Sequence, residues 1–140
     1  MIVLDTDTLT HFSYGNEKVR KKIEAVGEDE RLAVTLITRN EIIRGRADSL
    51  LKAADEEELK KAMERFYRAE TVLADFLVLP VNDAAAQQFG RLRKDKKLKK
   101  MGRADLLIAC ITLAFDALLV TRNVKDFKHL PGLRLENWVD

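Results

Sequence analysis

Apolar runs of only three or four residues recur along this chain: Met1–Leu4, Leu32–Thr35, Leu77–Leu79 and Ala117–Val120. The runs are rich in β-formers and continuous rather than alternating, so they read as strands buried on both faces. Longer stretches with helical periodicity lie between them. Strands that alternate with helices specify a largely parallel sheet with helices on each side. The expected fold is α/β, a three-layer α/β/α sandwich with a short, mostly parallel central sheet flanked by helices. With 140 residues and no repeat, low-complexity segment or long linker, a single domain over residues 1–140 is expected.

Local signals place the helices. Asp7 is positioned to N-cap a helix from Thr8 that ends at Gly15. Glu17–Val26 carries Val19, Ile23 and Val26 at helical spacing and stops at Gly27. Thr38-Arg39-Asn40-Glu41 matches a capping box, followed by Ile42-Ile43 and a stop at Gly45. Further helices are expected over Ala47 to about Ala54, over Glu56 to about Phe76, and from a cap at Asp83 through Leu92. The segment from Arg103 to Phe115 is apolar on nearly every face and should be deeply buried. Asn123–Phe127 reads as a turn or a single helical turn, and Leu133–Leu135 as a last edge strand.

Several function classes drop out. The longest apolar stretch, Leu106–Val120, is broken by Thr112 and Asp116 and falls short of the roughly 20 residues a membrane helix needs. Met1-Ile2-Val3-Leu4-Asp5 has no basic n-region and reaches an acid too early for a signal peptide. A lone Cys110, set in an apolar run, excludes an intrachain disulfide and reads as a buried, inert thiol. These features lead us to expect a cytoplasmic protein with no membrane partner. Net charge is only +2, but it is unevenly spread. Arg91, Arg93, Lys94, Lys96, Lys97, Lys99, Lys100 and Arg103 share thirteen residues with a single acid, Asp95. Such a block is either a solvated helix face or a phosphate-binding surface.

The acids carry the chemistry. Asp5 and Asp7 follow the first strand, Asn123 and Asp126 follow the Ala117–Val120 strand, Glu41 lies early in the helix after the second strand, and Asp105 opens the buried helix. In an open parallel sheet, strand C-termini and the helix N-termini after them gather along one edge, where ligands bind. Taken singly, most of these residues have ordinary duties. Asp7 and Asn123 can cap helices, Glu41 can complete the capping box, Asp105 can complement a helix dipole and Asp126 can sit in an exposed turn. Asp5 is the exception, since a carboxylate directly after a buried strand is poorly explained by packing or capping.

Two carboxylates about 4 Å apart repel by roughly 4 kcal/mol at an effective dielectric near 20, so a converging set needs a cation. All-oxygen ligands favour Mg²⁺ or Mn²⁺, and no Cys/His cluster offers a zinc site. His11 and His129 lack ligand spacing and read as structural. A hard cation beside basic residues is the equipment for phosphodiester hydrolysis, because it acidifies water and neutralises charge on the leaving oxygen. No serine, cysteine or histidine nucleophile is offered by a recognisable elbow or triad.

Four segments carry a resemblance: Ile2–Asp7, Thr38–Gly45, Gly102–Ala109 and Leu119–Phe127 resemble, in order and spacing, the signature blocks of PIN domains. The closing Pro131–Trp138 is similar to the tail of the VapC toxin branch. The resemblance spans essentially the whole chain. It implies a PIN-like sandwich with metal-binding acids at Asp5, Glu41 and Asp105. The fourth family position falls on Asn123, where many members have Asp, so Asp126 supplies the missing charge or one metal suffices. Thr121, with Thr6 or Asp7, would hydrogen-bond water or ligand carboxylates. It further implies a metal-dependent endoribonuclease that cuts structured RNA, often tRNA or rRNA. Such toxins form homodimers and are silenced by a small antitoxin. The RNA would be drawn in by the Arg91 to Arg103 block.

Two alternatives compete. Asp5-Thr6-Asp7-Thr8 imitates the nucleophile motif of haloacid-dehalogenase-type phosphatases, and Leu118–Thr121 their strand-ending threonine, but Glu41 and Asp105 would then be unexplained. The other is a catalytically inactive PIN-like module that only binds RNA or protein, which Asn123 favours.

Overall fold

The computed structural model describes residues 1–140. Five strands, β1 (Ile2–Leu4), β2 (Leu32–Thr35), β3 (Leu77–Leu79), β4 (Leu118–Val120) and β5 (Arg134–Glu136), form one sheet in the order β3-β2-β1-β4-β5. Every neighbouring pair is parallel, including β4 with the edge strand β5. The sheet is therefore wholly parallel where a mostly parallel one was expected.

Side-chain alternation along each strand divides the interior in two. Val3, Ala33, Leu79 and Leu119 pack to one side with Leu106, Ile108, Ile111 and Phe127. Leu4, Val34 and Val120 pack to the other with Leu9, Val19, Leu73 and Trp138. Both faces are thus dry, which is why the strands read as continuous apolar runs.

Helices α1 (Thr6–Ser13), α2 (Glu17–Glu24), α3 (Leu36–Leu51) and α4 (Glu56–Leu73) connect β1 to β2 and β2 to β3. Helices α5 (Asp83–Leu92) and α6 (Arg103–Ala114), with a 3-10 turn at Lys96–Leu98 between them, return the chain from β3 to β4, and α7 (Val124–Phe127) leads to β5. Parallel crossovers are almost always right-handed, so reversing the direction of travel across the sheet moves the helices to the opposite face. The reversal falls between β1 and β4, the two strands that flank the switch point. A crevice at the carboxyl ends of those strands is the expected ligand position.

Three caps lie upstream of the residues predicted. Asp5, not Asp7, caps α1; Thr35, not Thr38, caps α3; and Asn82, not Asp83, caps α5. The reason is shared: each helix starts within a few residues of the strand before it, so a polar residue at or just after the strand's end becomes the cap. Gly45 does not stop α3, and the separate helix expected over Ala47 to Ala54 is its continuation to Leu51. A mid-helix glycine costs about 1 kcal/mol relative to alanine, which packing of α3 along α4 outweighs. Cys110 is fully buried and its thiol is pushed up to about 11 by burial, which suits an inert role. No helix is long and apolar enough to cross a membrane.

Candidate active site

Asp5 departs furthest from expectation, because it does have a capping duty. Its Oδ1 accepts the Thr8 amide at 2.8 Å, and the residue is only 6% exposed. Burial pushes its pKa up. A hydrogen bond from the Thr121 hydroxyl and the one from the Thr8 amide oppose that shift, and the charge of Asp7 adds to it. The buried Thr121 oxygen also accepts the Asn123 amide at 3.0 Å, so one hydroxyl ties the end of β4 to the carboxylate after β1.

Glu41 is held from α1. The Thr6 hydroxyl donates to Glu41 Oε1 at 2.7 Å, and Thr6 Oγ1 lies 3.0 Å from Thr38 Oγ1. With its own proton committed to Glu41, Thr6 can only accept from Thr38. Two threonines in series therefore aim the carboxylate, and Glu41 does not complete a capping box with Thr38.

Asp105 occupies the first turn of α6, half-buried. Its pKa is raised, first by burial and then by the negative charges of Asp5, Glu41 and Asp126. Asp5, Glu41 and Asp105, from the end of β1, α3 and α6, line one cleft. Asp126 is drawn in by Asn123, whose Nδ2 donates to Asp126 Oδ2 at 3.0 Å. Asn123 sits at the start of α7, but its side chain does not cap it.

These groups line an open cleft with no apolar side chain: Asp5, Thr6, Asp7, Thr10, Glu41, Asp105, Arg122 and Asn123. No three Asp, Glu, His or Cys side chains are gathered tightly enough to form a ready-made metal cage. The donor set nevertheless suits Mg²⁺ or Mn²⁺. Mg²⁺ keeps several waters and takes only one or two carboxylates, so loosely grouped hard oxygens are what it requires. A structural zinc site would need sulfur or nitrogen ligands, and Cys110 is sealed in the core.

The remaining predicted residues separate. Asp7 turns to the cleft mouth, with Oδ1 3.7 Å from His11 Nε2 and Oδ2 3.9 Å from Arg122 Nη1. Of the eight basic residues from Arg91 to Arg103, all are exposed and none lines the cleft. Helix α5 begins close after β3 and α6 ends close before β4, so both run away from the cleft edge. Arg91 and Arg93 therefore stand at the far end of α5, while Arg103 arrives two residues before Asp105 with its guanidinium 5.0 Å from the centre of the Phe89 ring.

Two contributors are not apparent from the sequence. Arg122 reaches the cleft mouth, where Asp140 holds it through two 3.3 Å hydrogen bonds. Hydrogen bonding to Asp140 raises the Arg122 pKa, and hydrogen bonds from Asn137 and then Arg122 lower that of Asp140. The signal for Arg122 is its place between Thr121 and Asn123. His11, expected to be structural, also stands at the mouth, 3.4 Å from Arg122 Nη1.

The model of the family described as "PIN domain" matches residues 2–133. Ribonuclease VapC1 of Haemophilus influenzae (strain R2866) is 28% identical, over 97% of this chain and 96% of its own. The tRNA(fMet)-specific endonuclease VapC of Salmonella typhimurium is 29% identical over the same shares. Among solved structures, VapBC2 from Rickettsia felis, bound to a DNA fragment from its promoter, superimposes with a TM-score of 0.84 at 27% identity, covering 99% of both chains. The fold and the extent of the family match agree: the chain belongs to the PIN domain family.

Proposed function

We propose that this chain is a Mg²⁺- or Mn²⁺-dependent endoribonuclease that acts, as one PIN domain over residues 1–140, as the toxin of a type II toxin–antitoxin pair. Its substrate is structured cellular RNA, tRNA or rRNA. Its partners are a cognate small antitoxin and a second copy of the chain, and it works in the cytoplasm. The observation that carries this reading is that Asp5, Glu41 and Asp105, remote in sequence, line one open cleft at the switch point. The nuclease names of full-length relatives, and the VapBC assembly of a structural neighbour, support the activity and the antitoxin.

In this mechanism Asp5, Glu41 and Asp105 would hold the cation. Bound there, it would supply an acidified water and neutralise charge building on the phosphodiester. Thr121 and Thr8 fix the Asp5 carboxylate, Thr38 and Thr6 aim Glu41, and Asn123 keeps Asp126 beside Asp105. Arg122 faces an incoming phosphate at the mouth. Water adds to phosphorus in line with the departing oxygen, the P–O3′ bond breaks, and that oxygen takes a proton. The products carry 5′-phosphate and 3′-hydroxyl ends.

Incubation with total bacterial RNA tests this, with Mg²⁺ or Mn²⁺, with chelator, and with Asp5→Asn alongside. Discrete metal-dependent fragments, absent in the variant, are expected. A 2′,3′-cyclic phosphate terminus would sink the hydrolytic mechanism, and cleavage surviving in Asp5→Asn would mean the site is wrong.

A further inference from the structure

Beside the acidic cleft lies a second hollow of opposite character, between α1, α3 and α4. It is lined by Arg46, Arg65 and Arg68, with Thr10, Ser13 and Tyr14 and an apolar floor, and it contains no carboxylate. None of the three guanidiniums is paired with an acid anywhere in the molecule. Arg46 Nε is buried without a hydrogen-bond partner, an uncommon and costly state for a charged donor. The rest of that guanidinium is held in place: Nη2 donates to the Tyr14 hydroxyl at 3.1 Å, and its carbon lies 5.7 Å from the Tyr14 ring centre. Since Tyr14 accepts there, its own proton is free to point outward. Thr10 and Ser13 spend their protons on the backbone oxygens of Thr6 and Thr10, which leaves the arginines and Tyr14 as the donors to an anion.

Thr10 lines both hollows, which makes them neighbours across α1. A polyanion whose reacting phosphate sits among the acids passes close to this hollow, where a nearby phosphate can meet the exposed Arg65 and Arg68 beside Arg46. Planar forks presenting paired N–H donors match phosphate oxygens. We infer that Arg46, Arg65, Arg68 and Tyr14 form a subsite for a backbone phosphate of the RNA, within a few nucleotides of the scissile bond on the α3/α4 side. This rests on the ribonuclease reading above and deepens it. The strand would then cross the cleft between the α6 start, where Arg103 stands, and this hollow.

The test uses the full chain carrying Asp5→Asn, so that RNA is bound and not cut, and a single-stranded RNA oligonucleotide as probe. Arg65 and Arg68 are exposed, so Arg65→Gln/Arg68→Gln should fold normally, which a thermal melt checks. The double variant should bind about tenfold more weakly. The slope of log affinity against log salt should flatten by about 0.7 for each phosphate that is no longer neutralised. Arg46→Lys, which keeps the charge but loses the bond that fixes Tyr14, should weaken binding without matching that change in slope. In the chain with Asp5 intact, the arginine changes should raise KM and leave the cleavage site unchanged. Unchanged affinity and slope in variants of a parent that still cleaves RNA would overturn the subsite and leave the ribonuclease reading standing. Poly-glutamate binding that the arginine variants lose, with their RNA affinity unaltered, would assign the hollow to an acidic peptide and overturn it too. A parent that neither binds nor cuts RNA would sink both.

Discussion

The two strands that frame the cleft end in opposite ways. After β1 the carboxylate of Asp5 is buried, fixed by the Thr8 amide and the Thr121 hydroxyl, and held at a raised pKa by desolvation. After β4 the matching position is Thr121; an amide, Asn123, follows two residues later, and the nearest acid is the exposed Asp126, whose side chain is tethered through that amide. A buried, multiply bonded ligand keeps its geometry whether or not a cation is present, whereas an exposed acid on a four-residue helix can follow whatever binds. On the proposed reading, the β1 side would define where a cation sits and the β4 side would adjust charge around it.

The largest expected effect follows from that asymmetry. Asp5→Asn or Asp105→Asn should lower cleavage by more than about 100-fold, since loss of a mere outer-shell partner costs about 10- to 100-fold. Asp126→Asn should cost about tenfold or less. Equal losses in a cleavage assay would break the comparison and make Asp126 a full ligand. Thr121→Val falls between them, near the outer-shell range, because it frees Asp5 to rotate without removing it; wild-type rates would show the hydroxyl to be dispensable.

Stability separates the two ends by a smaller amount. Asparagine caps helices as well as aspartate, so Asp5→Asn should melt, without metal, at or above the parent temperature. Asp5→Ala loses the cap and should be less stable by about 1 kcal/mol in denaturant titration. The smallest signal is the pH dependence. Asp5 and Asp105 have raised folded pKa values, so over the window from the ordinary aspartate range up through those values the folded state keeps protons that the unfolded state has lost. Metal-free stability from these groups is therefore full below that window and falls as pH rises through it. A pH series of melts should show that decline, flattened in Asp5→Asn; a parent and variant with parallel profiles would place the raised pKa elsewhere.

Much of this is legible in the sequence, and the parts that are not have a common cause. The apolar runs mark the strands because both sheet faces are covered, and strand-end acids mark the cleft because parallel topology sends every strand end to one edge. Caps are misplaced because propensity marks which residues can cap, not how tightly a helix follows its strand. That is why the sequence presents Asp5 as free of capping when it both caps α1 and faces the cleft. The basic block is a different case. Its charge density is a one-dimensional quantity: none of its side chains lines the cleft, although Arg103 stands at the α6 start, while Arg46, Arg65 and Arg68 are scattered in sequence and meet only because α3 packs along α4.

That remote acids form one cation-binding centre is tested most directly by titrating the metal-free protein with Mn²⁺ and following its melting temperature, in parent, Asp5→Asn and Asp105→Asn. A ligand that binds only the folded state stabilises by about 2.7 kcal/mol at about one hundred times its Kd. The parent should therefore show a saturable rise of several degrees that both variants lose, even though they start as stable or more so. A flat titration in the parent, or the same rise in all three proteins, would mean that Asp5 and Asp105 do not share a cation.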